Sequence, residues 1–227
     1  MKRKSIAQEY LMLVMDKNGI LPPMRKEESK AGLVLASFME LLLGGIITVE
    51  KKKIIIEKDL QPEFMHLASL YAYLEEKPRT KSKMISDYSM GIRLNKLIDE
   101  IGESLSADGL VTKGEGGLFG PKITYIANQE QKEKLIDIIK SVIEKEDKLT
   151  EHDLILIFLL QKTKNLSQYL SKYEKEKWKS KLKAVKKDPQ NKELARLIHY
   201  VDDSITAMMI VFMAVYIKER QKPNMMV

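Results

Sequence analysis

Histidines, paired carboxylates and a glycine-rich segment are the residues of this 227-residue chain whose types could support catalysis. Three histidines are present, and no two of them have the sequence spacing of metal ligands: His66, His152 and His199. The chain contains no cysteine, so thiolate catalysis, disulfides and Cys-ligated zinc are excluded. Each histidine is therefore expected to be a surface residue or a buried hydrogen-bonding residue, and no metal site is predicted.

Two further patterns have a structural explanation that we favour over a catalytic one. Asp202 and Asp203 form an acidic pair ahead of an apolar stretch, where negative charge favours the N-terminal region of a helix. The segment Gly114-Glu115-Gly116-Gly117 lacks the Lys-Ser/Thr ending of a phosphate-binding loop and lies between two predicted strands. These patterns predict a protein that is not an enzyme and that needs no cofactor.

The basic residues indicate an anionic partner. The chain has 39 Lys and Arg against 32 Asp and Glu, a net charge of +7 that favours lipid headgroups, nucleic acid or acidic proteins. Most of this excess lies between Lys172 and Lys187, where there are eight lysines and two glutamates. Trp178, Leu182 and Val185 share one face of this predicted helix. The helix either lies on an anionic membrane or packs this apolar stripe on the core, and we favour core packing.

Shorter basic groups occur elsewhere in the chain. Arg93 and Lys96 lie about one turn apart on a predicted helix and could together bind a phosphate. The other groups are Arg25-Lys26 after a double proline, Lys51 to Lys53, and Lys77, Arg79, Lys81 and Lys83 around Pro78. A phosphate-recruiting surface requires several of these groups on one side of the fold.

The elements that must position these residues are mainly helical. Helical periodicity and boundary residues predict helices over about 5–15, 27–43, 62–76, 90–105, 129–146, 151–161, 166–187 and 192–218. β-Branched runs predict two hairpins, one over 46–49 and 54–56 with Lys51 to Lys53 at its tip, the other over 110–112 and 123–126. The second hairpin has a long glycine-rich connection.

The most apolar segment is the run of 13 residues from Ile205 to Ile217. It is shorter than the roughly 20 residues that span a bilayer, so it predicts a central helix buried on all sides. No linker divides the chain. The sequence therefore predicts a mainly α fold: a single compact helical domain over residues 1–227, built around a buried apolar helix, with two peripheral β-hairpins.

Read in order, these segments resemble the Golgi phosphoprotein 3 family. The likeness begins at 5–19 (SIAQEYLMLVMDKNG), a leucine-rich helix that ends in an Asp-x-x-Gly-like turn. It continues through 32–50 (GLVLASFMELLLGGIITVE) and the hairpin 108–127 (DGLVTKGEGGLFGPKITYIA), and it closes on the apolar helix 205–217. The resemblance covers nearly the whole chain and rests on the order and spacing of the segments.

The resemblance implies a helical fold, no catalytic activity, and binding of phosphatidylinositol 4-phosphate at a basic pocket on a membrane-facing side. In the eukaryotic members a tryptophan and three arginines form that pocket. None of the four is retained at the corresponding positions, which fall near Arg25, at Val34, and near Asn95 and Ile98. Basic residues close to these positions are the predicted lipid-binding residues: Arg25, Lys26, Arg93 and Lys96.

The family's second hairpin is also associated with self-assembly. In this chain the corresponding loop places Leu118 and Phe119 among glycines, and apolar residues on such a loop are typical of an interaction site. The resemblance thus predicts a homo-oligomer that depends on Leu118 and Phe119.

The function expected from the sequence is a cytoplasmic protein that associates peripherally with a membrane surface and binds an anionic phospholipid headgroup. Two alternatives stay open. One is a protein-binding adaptor without lipid affinity. The other is a winged-helix-like nucleic-acid binder with Lys51 to Lys53 as its wing, although the helix before that hairpin is almost entirely apolar and offers little to read base edges.

Overall fold

Helix α1 (Ile6–Val14) lies at the centre of the computed structural model, which describes residues 3–88, 91–116, 122–145 and 149–220. Ser5 begins the helix with a capping box: its hydroxyl accepts from the backbone N–H of Gln8, whose side chain accepts from the backbone N–H of Ser5. All nine residues of α1 are buried. A nine-residue helix is marginal alone in water, so α1 depends on the helices packed around it.

Eight further helices surround or extend this centre in the described residues. They are α2 (Lys26–Leu43), α3 (Ala68–Glu75), α4 (Lys81–Tyr88), α5 (Ile92–Ala107), α6 (Gln129–Glu144), α7 (Glu151–Lys162), α8 (Lys172–Lys187) and α9 (Lys192–Arg220). Short 3₁₀ turns occupy Pro23–Arg25, Pro62–Leu67, Leu166–Gln168 and Pro189–Asn191. The prediction of a mainly α fold is confirmed.

Helices α1, α2 and α7 form the core. The residues of α2 from Ala31 to Leu41 and those of α7 from Asp153 to Leu160 are buried, and both helices pack on α1. The capping residue Thr150 starts α7 by accepting from the backbone N–H of Asp153.

The prediction that Ile205 to Ile217 is the central buried helix is wrong. This segment lies in α9, which packs on the core through Leu194, Ile198, Val201 and Ile205. Beyond that stripe Thr206 and Ala207 are exposed, and Ile210 is 66% exposed. Within the segment Met209 and Val211 are half-buried and also pack against the core, so it contacts the core along one side and is not buried on all sides.

The predicted first hairpin is confirmed as β1 (Ile47–Glu50) and β2 (Lys53–Ile56), paired antiparallel with Glu50 opposite Lys53. Lys51 and Lys52 form its two-residue turn with φ of 45° and 69°, the left-handed conformation that such turns require. A third strand that the sequence does not predict, β3 (Arg79–Thr80), pairs with β2 and makes a three-stranded sheet.

The second hairpin is also confirmed, as β4 (Val111–Gly116) and β5 (Lys122–Ala127) paired antiparallel. The predicted long connection is wrong in its first part, because Lys113 to Gly116 continue strand β4 and pair with β5. Its base packs on the core through Val111 and Tyr125. Leu118 and Phe119, the predicted oligomerisation residues, lie outside the described residues.

Several predicted helix boundaries change. The predicted helix 62–76 is a 3₁₀ turn followed by α3, and 166–187 is a 3₁₀ turn followed by α8, which Ser171 caps. Helix α4 was missed because its sequence KSKMISDY is mostly polar and buries only Met84, Ile85 and Tyr88.

In the described part of the chain, no helix combines the length and the apolar character needed to cross a membrane.

Candidate anion-binding surface

Helix α8 carries the densest group of lysines, and its apolar stripe is turned inward. Trp178 is 1% exposed, Leu182 and Val185 are buried, and the Trp178 indole N–H donates to the Gln161 side-chain oxygen on α7 at 2.9 Å. The interpretation that this stripe packs on the core is therefore confirmed. The tryptophan is unavailable for insertion into a bilayer. Five lysines of α8 are exposed: Lys172, Lys179, Lys183, Lys186 and Lys187.

Arg25 and Lys26 lie beside the connection between α7 and α8. The Arg25 guanidinium donates to the backbone carbonyl of Lys164 and to the side-chain oxygen of Gln168, both at 3.2 Å. Lys26 follows as an exposed residue at the start of α2, and Lys164 forms a 3.1 Å ion pair with Glu28. One half of the predicted site is thus brought to the connection that leads into the lysine-rich helix.

We call this surface the basic face. Its members come from the start of α2, the α7–α8 connection and the first half of α8: Arg25, Lys26, Lys164, Lys172, Lys175 and Lys179. Lys164 and the three α8 lysines line the same cleft, and Arg25 is bonded to the backbone of Lys164. Met24, directly before Arg25, is 93% exposed.

The other half of the predicted site, Arg93 and Lys96, lies on α5 and contacts α3 and α5 instead of the α7–α8 connection. The Arg93 guanidinium carbon lies 5.3 Å from the centre of the Tyr73 ring, and the Lys96 ammonium lies 4.0 Å from a carboxylate oxygen of Glu100. Lys96 lines a groove of about 690 Å³ whose walls also carry Asp99, Glu100 and Glu103. These carboxylates oppose an anion there, so a phosphate clamp by Arg93 and Lys96 stays a prediction.

The positions that correspond to the family's lipid-binding pocket do not form a pocket at the surface of this protein. Val34 is fully buried in α2, Ile98 is half-buried, and Asn95 is exposed at the rim of the α5 groove. A headgroup at the surface cannot contact a buried valine. The basic residues that the structure does assemble are those of the basic face.

The other basic groups are partly structural. Arg79 is buried, with its guanidinium carbon 3.9 Å from the Tyr73 ring centre, and it donates to the backbone carbonyl of Tyr73. Lys81 lies over the Tyr200 ring at 4.1 Å. Lys51 to Lys53 are exposed, but α2, the helix before their hairpin, is buried among α1, α7 and α9. This burial argues against the winged-helix alternative, because α2 cannot enter a DNA groove.

Two histidines that are distant in sequence from α1 contact its N-terminal region. His152 Nε2 lies 2.8 Å from the Glu9 carboxylate, and His66 Nε2 lies 2.8 Å from Glu40 and 2.9 Å from the Ser5 hydroxyl. A nucleophile–base–acid relay uses both ring nitrogens of its histidine. Here one nitrogen contacts both partners, so Ser5, His66 and Glu40 do not form such a relay.

These carboxylates were not singled out from the sequence. The Glu40 carboxylate accepts from the backbone N–H of Ala7, and the fully buried Glu9 carboxylate accepts from Arg3 and from the backbone N–H of Lys4. They therefore anchor α1, and their surroundings form the wall of a cleft of about 570 Å³. In the described residues, no group of three or more His, Asp or Glu side chains is arranged to hold a metal ion.

In the described residues, the fold and its charge distribution define a mainly helical protein with a core of three central helices, peripheral hairpins and the basic face. The chain belongs to the Golgi phosphoprotein 3 (GPP34) family, whose sequence model matches residues 6–201. A comparison with curated protein sequences gives no match.

Proposed function

We propose that this protein is a non-enzymatic peripheral membrane protein that binds anionic phospholipid at a cytoplasmic membrane surface. Family membership supports the class, and by resemblance the lipid is phosphatidylinositol 4-phosphate. The observation that carries the proposal is the basic face. Arg25 donates to the backbone carbonyl of Lys164, and Lys164 lines the same cleft as the lysines in the first half of α8.

The basic face suits a membrane surface for two reasons. Each lysine or arginine close to an anionic leaflet contributes about 1 kcal/mol of binding free energy, and this attraction is screened by salt. Met24 extends from the same region next to Arg25 and is 93% exposed, so it can enter the interface while the basic residues contact headgroups.

Charge reversal at Lys26 tests this proposal. Lys26→Glu is expected to weaken partition to vesicles containing phosphatidylserine or phosphatidylinositol 4-phosphate about thirtyfold at low salt, since it removes one attraction and adds one repulsion, about 2 kcal/mol together. Glutamate is favourable at the first turn of α2, so the fold should be unaffected. The measurement is flotation with neutral and anionic vesicles at low and high salt.

The matched control is Lys77→Glu, which makes the same charge change at an exposed lysine outside the basic face. Equal loss of binding in both variants would show that net charge, and not this surface, drives association. Absence of wild-type binding to every anionic vesicle would instead support the protein-binding adaptor.

We also propose that the chain self-associates through the second hairpin. On the described part of that hairpin Ile123 is 52% exposed and Thr112, Lys113 and Glu115 face solvent, so the strands project an accessible surface. A Leu118→Ser, Phe119→Ser double variant is expected to reduce the sedimenting mass to that of a monomer at concentrations where the wild type is larger. An unchanged mass distribution would contradict this proposal.

A further inference from the structure

A small cleft lies within the basic face, between the end of α7 and the first half of α8. Its volume is about 170 Å³, and its walls include Gln161, Lys164, Ser167, Lys172, Lys175 and Lys179, with Trp178 beneath them. Pockets for drug-sized ligands are about 300–1,000 Å³. The cleft therefore suits a small group and is too small for an acyl chain.

The two walls of the cleft are held at a fixed separation. The Trp178 indole N–H donates to Gln161, which joins α8 to the end of α7. On the α7 side, the backbone carbonyl of Lys164 accepts from the Ser167 hydroxyl and from Arg25. On the α8 side, Lys172, Lys175 and Lys179 follow at spacings of three and four residues, so their side chains share one helix face.

The charge balance inside the cleft favours an anion. Four of its lining residues are lysines and one, Glu176, is a carboxylate. Glu176 is bonded to Lys179 at 2.7 Å, and this hydrogen bond lowers the pKa of Glu176. Lys164 is paired with Glu28 outside the cleft. Lys172 and Lys175 form no salt bridge with any residue that the structure describes, so their ammonium groups are available to a ligand.

We propose that this cleft binds a phosphomonoester. Such a group carries a charge of about −1.5 to −2 and three terminal oxygens, which several lysine ammonium groups can contact at once. A phosphodiester carries one charge and should bind more weakly. The inference rests on the proposed function where the phosphomonoester is a lipid headgroup, but a soluble phosphomonoester would make the same contacts.

Calorimetry with glycerol 3-phosphate tests the cleft without a membrane, and dimethyl phosphate serves as the diester. The wild type is expected to bind the monoester more tightly than the diester, and Lys172→Ala with Lys175→Ala should weaken monoester binding about tenfold or more. The matched control is Lys183→Ala with Lys187→Ala, which removes two exposed lysines of the same helix outside the cleft. Thermal unfolding checks that both variants fold.

Flotation with phosphatidic acid, a phosphomonoester lipid, and with phosphatidylserine separates the two ligand sources. Preference for phosphatidic acid that only the cleft variant loses supports a lipid headgroup as the ligand. A second outcome is that the wild type binds glycerol 3-phosphate but no vesicles, and that only the Lys172→Ala, Lys175→Ala variant loses this binding. This outcome supports the cleft and contradicts the proposed membrane function. Equal flotation with both lipids and no binding of glycerol 3-phosphate would overturn the cleft proposal and leave the membrane function standing. The cleft proposal would also be overturned if the Lys172/Lys175 and Lys183/Lys187 double variants lost monoester binding equally.

Discussion

Replacing Gly32 with alanine is expected to lower the free energy of unfolding by about 3 kcal/mol. Gly32 lies in α2 where α1 and α7 pack on it, and a Cβ there would come 2.0 Å from the Tyr10 hydroxyl and 2.8 Å from a methyl group of Thr163. Alanine normally stabilises a helix interior by about 1 kcal/mol relative to glycine. Any net loss therefore measures the cost of forcing the three central helices apart.

Chemical denaturation of wild type and variant gives this difference, and thermal unfolding should show a midpoint lower by about 6–12 °C. The effect should depend on Tyr10, because its hydroxyl is the nearest atom to the added Cβ. Tyr10→Phe alone loses the 3.0 Å hydrogen bond to Thr163, at a cost of about 1 kcal/mol. When Gly32→Ala is already present, Tyr10→Phe should lower the free energy of unfolding by less than this, or should raise it. Strictly additive effects would contradict the predicted clash.

The parts of the fold that the sequence predicts well are those with local boundary signals. Ser5 and Gln8 mark the start of α1, Thr150 marks the start of α7, and Gly44 follows the end of α2. Each signal acts through hydrogen bonds within a few residues, so it is visible without knowledge of the tertiary structure. The two hairpins were predictable for the same reason.

Errors arose where tertiary contacts decide the outcome. The run from Ile205 to Ile217 is the most apolar in the chain, yet Ile210 is 66% exposed while Tyr10 in α1 is fully buried. Composition gives the tendency of a segment to be buried but not which helices surround it. Strand β3 has only two residues and exists because β2 offers a free edge, so no local pattern predicts it.

The candidate site shows the same division. The lysine-rich α8 and the inward position of Trp178 followed from charge and spacing within one segment. The contact of Arg25 with Lys164 joins residues 139 positions apart and could not be predicted from one sequence. Glu9 and Glu40 did leave a signal, because each is a carboxylate inside an apolar helical run, where burial requires specific partners.

Glu9 provides the second large expected effect. Its carboxylate is fully buried and has donors on every side: the Arg3 guanidinium at 2.8 Å on both oxygens, the backbone N–H of Lys4 at 2.9 Å, and His152 at 2.8 Å. Burial opposes ionisation of this carboxyl group, but the hydrogen bonds from His152 and Arg3 outweigh it and hold the pKa of Glu9 below its ordinary value. Ionised Glu9 therefore stabilises the fold.

Glu9→Gln is expected to lower the free energy of unfolding at neutral pH by about 3 kcal/mol. The amide keeps the size of the side chain but removes its charge, and whichever way it is oriented its NH₂ group faces the Arg3 guanidinium, which is itself a donor. The Arg3 side chain is 33% exposed, so water can solvate part of the unpaired charge, which places the effect at the lower end for a broken buried pair.

The pH dependence of this loss has a defined sign. A carboxylate with a lowered pKa in the folded state contributes its full stabilisation above the unfolded value of about 4.3 and loses it as the pH falls through the folded pKa. The difference between wild type and Glu9→Gln should therefore be constant near neutrality and shrink below about pH 4. Urea denaturation at a series of pH values measures it, with Glu144→Gln at an exposed position of α6 as the control. If wild type and Glu9→Gln lost stability in parallel down to the lowest pH, the ionised carboxylate would not be what holds α1 to Arg3 and His152.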